Sequence, residues 1–236
     1  MSQTRPVAVK RGRPARGGAV AGEMREALLD HAEALLSQHG FHGVTVRQVA
    51  SAAHVDPALV HYYFDTKSKL FDAVFLRRAE IVNAERIAAM ETYRQAAGSD
   101  IQIEGCIEAF LEPIVRHSVQ GDVGWKNYFR LVALVNSSSG WGGETMARYF
   151  DPVIRKLVQL LRLCMPQASD ENLFWCYHFL SGALTLSLSE TGRIDRLSEG
   201  LCTSTDHLAI YHRLVPFAAA GFRRVCLHGG APDNAP

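Results

Sequence analysis

The chain has 236 residues, 47% of them hydrophobic, and a formal net charge of +1. That supplies one large folded domain or two small ones, and no apolar run of about eighteen residues exists to cross a bilayer, so no membrane partner is expected. With no apolar signal stretch at the N-terminus and no CxxC pair among Cys106, Cys164, Cys176, Cys202 and Cys226, a cytoplasmic protein is expected, without a disulfide framework, metal or cofactor.

In chain order, the first segment is basic. Residues 1–25 carry Arg5, Lys10, Arg11, Arg13, Arg16 and Arg25 against the single acid Glu23, giving +5 here and −4 over the rest. "VKRGRPARGGAVAG" lacks apolar periodicity and reads, over residues 1–20, as a flexible arm. Gly12-Arg13-Pro14 resembles the core of an AT-hook, which makes Arg11 and Arg13 candidates for DNA contact. A solubilising tail is the alternative.

Beyond the arm the periodicity is helical. Met24, Leu28, Ala32, Leu35 and Leu36 recur at three and four residues, and Gly40 stands where a helix stops. Thr45 and Gln48 form a capping-box pair before Val49, Ala50 and Ala53. Asp56 is a good N-cap and Pro57 a good first helical residue, so a third helix should run to about Tyr63 after a three-residue turn, His54 to Asp56. Two short helices so joined have helix-turn-helix spacing. Val55, Val60 and Phe64 share the inward face, leaving Pro57, Ala58, His61 and Tyr62 opposite, flanked by Leu59 and Tyr63. A fourth helix should follow Thr66, with Leu70, Phe71, Val74 and Phe75 inward. Lys67 and Lys69 in its first turn oppose the helix dipole, a conflict that a bound DNA phosphate would remove.

"TVRQVASAAHVDPALVHYYFDTKSKLF" resembles the helix-turn-helix of the TetR family of bacterial transcriptional regulators, over about Met24 to Val74. The resemblance implies an all-α protein with an N-terminal three-helix DNA-binding head over residues 21–70. A larger helical ligand-binding and dimerisation domain would follow over 71–228, with a disordered tail over 229–236. It implies that Thr45 caps the second helix and contacts phosphate, beside Gln48, and that Arg47 reaches the major groove. Pro57, Ala58 and Leu59 would face base edges, His61 would take the phosphate-binding position with Tyr62 next to it, and Lys67 would clamp phosphate. His54 stands where the family has a turn glycine, in a position that calls for a left-handed backbone. Ser68 and Tyr63 also depart from the pattern. His54 and His61 as metal ligands lack a third partner, and no nucleophile, base and orienting group converge here.

From residue 78 on, helical patterns recur at roughly 69–96, 101–119, 124–137, 144–164, 170–190 and 204–227; Asp170 is placed as an N-cap, and Asp151-Pro152 either kinks the 144–164 helix or marks the true start of its regular part, with Asp151 as N-cap. "NLFWCYHFLSGALTLSLSE" is apolar almost all round, so part of it should meet something beyond its own subunit. The last helix shows a stripe of Leu208, Tyr211, Val215, Ala218 and Phe222. The resemblance implies that two such helices pair across a two-fold axis in a homodimer, and that the body binds a small effector. Phe110, His117, Tyr128, Phe129, Trp175, His178 and Phe179 are the expected pocket lining, suited to an apolar or aromatic compound. The expected function is a repressor that binds a pseudo-palindromic double-stranded operator as a dimer and is released by that compound. The alternative is an architectural or recruitment protein of the same fold whose body holds a protein partner. An enzyme is not expected: Cys176 and His178 would point about 200° apart on one helix.

Overall fold

A computed structural model describes residues 16–138 and 141–228. Arg11, Arg13 and the 229–236 tail lie outside the described residues. No strand is present among those described.

Helix α1 (Arg16–Gly43) begins inside the segment read as an arm, and Gly40, at φ 67°, breaks its regular part where a stop was expected. Leu28, Leu29, Ala32 and Leu36 form its buried stripe. Helix α2 (Val46–Ala52) opens on a complete capping box: the Gln48 amide donates to Thr45 Oγ1, and the Thr45 amide donates to Gln48 Oε1 at 2.8 Å. Helix α3 (Pro57–Phe64) is capped by Asp56, which accepts from the Ala58 amide at 2.7 Å. Helix α4 (Lys67–Ala97) follows the Thr66 cap. Burying side chains such as Val60, Phe64, Phe71 and Phe75 contributes about 1.5–3 kcal/mol each, more than local propensity supplies to helices as short as α2 and α3.

The body comprises α5 (Ile103–Gln120), α6 (Val123–Asn136), α7 (Trp141–Cys164), α8 (Asp170–Leu188), α9 (Arg193–Leu197) and α10 (His207–His228). Of the two readings of Asp151-Pro152 the start falls away, since α7 runs through the pair with Pro152 inside it. One expectation changes: the cap of α8 is Ser169, whose hydroxyl accepts from the Asn172 amide, with Asp170 the first helical residue. Helix α9 occupies a stretch read as a connection, because five residues are too few to show a 3.6-residue period.

Two cores share the molecule. One joins α1 to α4 with α6 through Leu28, Val49, Val60, Phe71, Phe75 and Tyr128, and the other packs α5, α7, α8 and α10 around Ile107, Leu157, Leu161, Leu173 and Phe222. Helix α4 contributes to both, through Phe75 in the first and Met90 in the second.

Candidate nucleic-acid interface and body cavity

The turn between α2 and α3 depends on His54, whose φ of 56° is left-handed, as the sequence pattern required. It aims α3 so that Val60 and Phe64 are buried and Val55 packs against the same core. His61 and Tyr62 are exposed on the other side, Tyr62 to 81%, with Ala58 beside them and Pro57 and Leu59 half-buried. Arg47 on α2 is exposed and makes no ion pair among the described residues, so its guanidinium is free to contact a ligand. Thr45 and Gln48 are exposed but occupied with each other in the capping box. His61 Nδ1 lies 2.9 Å from the Asp65 carbonyl oxygen, which fixes the ring toward the C-terminus of α3.

The two lysines at the start of α4 are less strained than their position suggested. Lys69 Nζ pairs with Asp65 at 2.7 Å, and Lys67 Nζ sits 4.3 Å from the centre of the Phe41 ring. The hydrogen bond from Lys69 holds the Asp65 carboxyl below its usual range. An internal acid and a ring face therefore offset part of the dipole conflict that pointed to a phosphate.

Head and body meet at a buried acid. Glu33 of α1, 1% exposed, accepts from Arg77 at 3.0 Å and from Arg78 Nε at 2.9 Å, both on α4. Burial pushes its carboxyl up against the pull of the two guanidiniums. Arg78 also lies 3.6 Å from Asp122, the N-cap of α6, and over the Trp125 ring. Gly124 leaves room for that guanidinium, since a Cβ there would collide with it.

Of the expected pocket residues, Phe110, Tyr128 and Phe129 are brought together around an internal cavity of about 40 Å³. The other four are elsewhere. His117 stacks on Trp125 at 3.7 Å with Nε2 2.6 Å from Glu85, at the junction of α4, α5 and α6. Trp175, His178 and Phe179 are exposed on the outer face of α8, in a stripe with Phe174 and Leu186. Leu173, Cys176, Leu180 and Leu188 form the inner stripe of the same helix, and a helix apolar on both sides cannot be oriented from its own sequence. The stripe of α10 also turns inward: Val215, Ala218 and Phe222 are buried within the subunit, and Phe217 faces out. The cavity wall missing from the sequence reading includes Arg86, Tyr177, Asn136 and Ser181. Arg86 falls in register with Ala79, Val82 and Met90 on the buried side of α4, which is the one pattern that marks it.

The profile described as bacterial regulatory proteins, tetR family, matches residues 28–74, and the one described as tetracyclin repressor-like, C-terminal domain, matches residues 108–221. The chain belongs to the TetR family. Solved structures agree in fold. A fatty acid degradation regulator, FadR from Bacillus halodurans, is similar at 14% identity and a TM-score of 0.57, over 91% of this chain and 99% of that one. A TetR-like transcriptional regulator from Rhodococcus sp. RHA1 gives 16% identity and 0.55, over 88% and 97%. HlyIIR, a hemolysin II transcriptional regulator, gives 14% and 0.56, over 83% and 98%. No curated protein matches by sequence. As a TetR family member the chain is a DNA-binding transcriptional regulator, and its helix-turn-helix comprises α2, the His54 turn and α3. Dimer formation goes with the family. Among the described residues no helix is long and apolar enough to cross a membrane.

Proposed function

We propose that this TetR family protein is a repressor that grips a pseudo-palindromic operator with two heads and lets go when a small molecule enters the body. The observation that carries the reading is the course of α4, which presents Lys67 and Lys69 at the head and Arg86 at the internal cavity within one unbroken helix. A ligand that shifts the middle of that helix shifts the DNA-reading end with it. Arg47, Pro57, Ala58, Leu59, His61 and Tyr62 form the reading surface, with Lys67 at its edge. Apolar Ala58 and Leu59 suit thymine methyls, and Arg47 suits the two acceptors of guanine.

The two-fold mate is assigned to the outward stripe of α8 and to Phe217 of α10, which together expose more aromatic surface than an isolated subunit normally leaves in water. An open apolar groove of about 650 Å³ between α8, α9 and α10, with Leu197, Leu201 and Phe217 at its walls, adjoins that stripe. It is the feature that favours the recruitment alternative, in which the body holds another protein.

Linkage separates the two readings. A molecule that releases the operator must bind more weakly, by the same factor, when the operator is present. The test selects operator fragments by footprinting upstream of the protein's own gene, then measures effector affinity with and without the fragment. Equal affinities in the two states refute ligand-controlled release.

A further inference from the structure

Arg86 is 4% exposed, and no carboxylate lies within ion-pair distance of it among the described residues. Its guanidinium is held by neutral groups: Nε donates to the Phe110 carbonyl at 3.1 Å, Nη1 donates to Asn83 Oδ1 at 3.3 Å, and the plane lies 3.7 Å from the centre of the Phe110 ring. Nη2 has no hydrogen-bond acceptor among the described residues. Burying an unpaired cation costs several kcal/mol, and buried arginines normally carry an acid with them. Desolvation holds this one down to about 10, still charged at neutral pH. Beside it Tyr128, 1% exposed, has a hydroxyl with no hydrogen-bond partner among the described residues. Both side chains border the internal cavity, together with the Tyr177 ring. A cation without a counter-ion and a hydroxyl without an acceptor thus line one partly open cavity.

We propose that this cavity is an anion-recognition site, and that the small molecule it takes carries one carboxylate group on an apolar body. Arg86 Nη2 and the Tyr128 hydroxyl are both donors, and a carboxylate offers two acceptor oxygens at a spacing that serves both. Most of the remaining wall is apolar, with Ile114, Phe129, Phe150 and Leu188, and its polar members Asn136, Ser181 and Thr185 hydrogen-bond to one another. The cavity volume of about 40 Å³ accommodates the charged head, and the flexible thioether of Met146 on the same wall is the side chain that yields to a longer tail. The assignment rests on the effector reading above and sharpens it: an uncharged aromatic compound leaves Arg86 unpaired, whereas an acid pairs it.

The test uses the full-length protein without DNA. Hexanoate and benzoate are titrated calorimetrically against hexanamide and benzamide, which have the same shape and no charge. The acids are expected to bind at least about ten-fold more tightly than their amides, as hydrogen bonds to charged groups require. Arg86→Met should abolish the difference, and Tyr128→Phe, which removes one oxygen and leaves the ring, should weaken the acids several-fold and the amides, whose neutral carbonyl accepts a weaker bond, distinctly less. The Tyr128→Phe comparison stands alone if Arg86→Met does not fold. Equal binding of acids and amides, no binding of either acid, response to chloride or phosphate only, or an unchanged acid affinity in both variants overturns the assignment. Operator release is scored separately by fluorescence anisotropy. Acids that bind with the selectivity described but leave the operator held uphold the site and refute release. An amide that releases the operator from the same cavity upholds release and refutes the anion.

Discussion

Replacing His54 by glycine should stabilise the head. The residue sits at φ 56°, is exposed, and closes the turn through its backbone amide, which donates to the Ser51 carbonyl at 3.2 Å. A residue with a Cβ costs about 1–2 kcal/mol in the left-handed region, while glycine gives back about 0.5–1 kcal/mol through its freer unfolded chain. The net gain is about 0.5–1 kcal/mol, or about 1–4 °C in Tm for a chain of this size. Urea and thermal unfolding at one fixed protein concentration measure it, because association contributes to the apparent stability of a dimer. His54→Ala is the control: it removes the imidazole but keeps the Cβ, so it should show no gain. A loss of stability in His54→Gly, or an equal gain in His54→Ala, would refute the assignment of the cost to the backbone.

Three further outcomes are expected. Phe179→Glu combined with Phe217→Glu should convert the protein to monomers in sedimentation and weaken DNA binding in parallel, and a persisting dimer would place the interface elsewhere. Arg47→Ala should relax sequence preference at one or two base pairs per half-site, whereas Lys67→Ala should weaken all DNA sequences alike, with some lost head stability because Lys67 covers Phe41. Equal losses on every sequence for both variants would remove the distinction. Finally, Glu91 is held down to about 2 by hydrogen bonds from Arg94 and Gln95. Its folded value lies below the ordinary 4.5, so its contribution is present above about pH 4.5 and disappears as pH falls toward 2. The stability difference between wild type and Glu91→Gln should shrink over that interval, and a difference independent of pH would argue against it.

The head was more legible than the body because its signals are local. Thr45 with Gln48, Asp56 with Pro57, and Thr66 each fix a helix start within four residues, and the structure places those starts where the caps put them. The left-handed backbone of His54 was implied by the resemblance, which puts a turn glycine at that position. In α8 the difficulty was of another kind: Phe174, Trp175, Phe179 and Leu186 are as apolar as the residues that line the core, so composition could not tell the outer face from the inner. Arg86 was hidden by its identity. A charged residue in a helix reads as solvent-facing, and only its register with Ala79, Val82 and Met90 contradicts that. Capping pairs disclose where helices begin; which face turns inward is settled by helices distant in sequence.

The unbroken length of α4 also makes it a mechanical lever. Lys67 and Arg86 belong to the same helix and are about 28 Å apart along its axis. Tilting that rod by about 5° about its Arg86 end displaces the Lys67 end by about 2.5 Å, and the two-fold mate doubles the change to about 5 Å between heads. Successive major grooves on one face of B-DNA repeat at about 34 Å, so an error of that size puts the second reading helix out of phase when the first is seated. On the proposed release mechanism, a movement smaller than one side chain at the cavity would weaken simultaneous engagement of both half-sites.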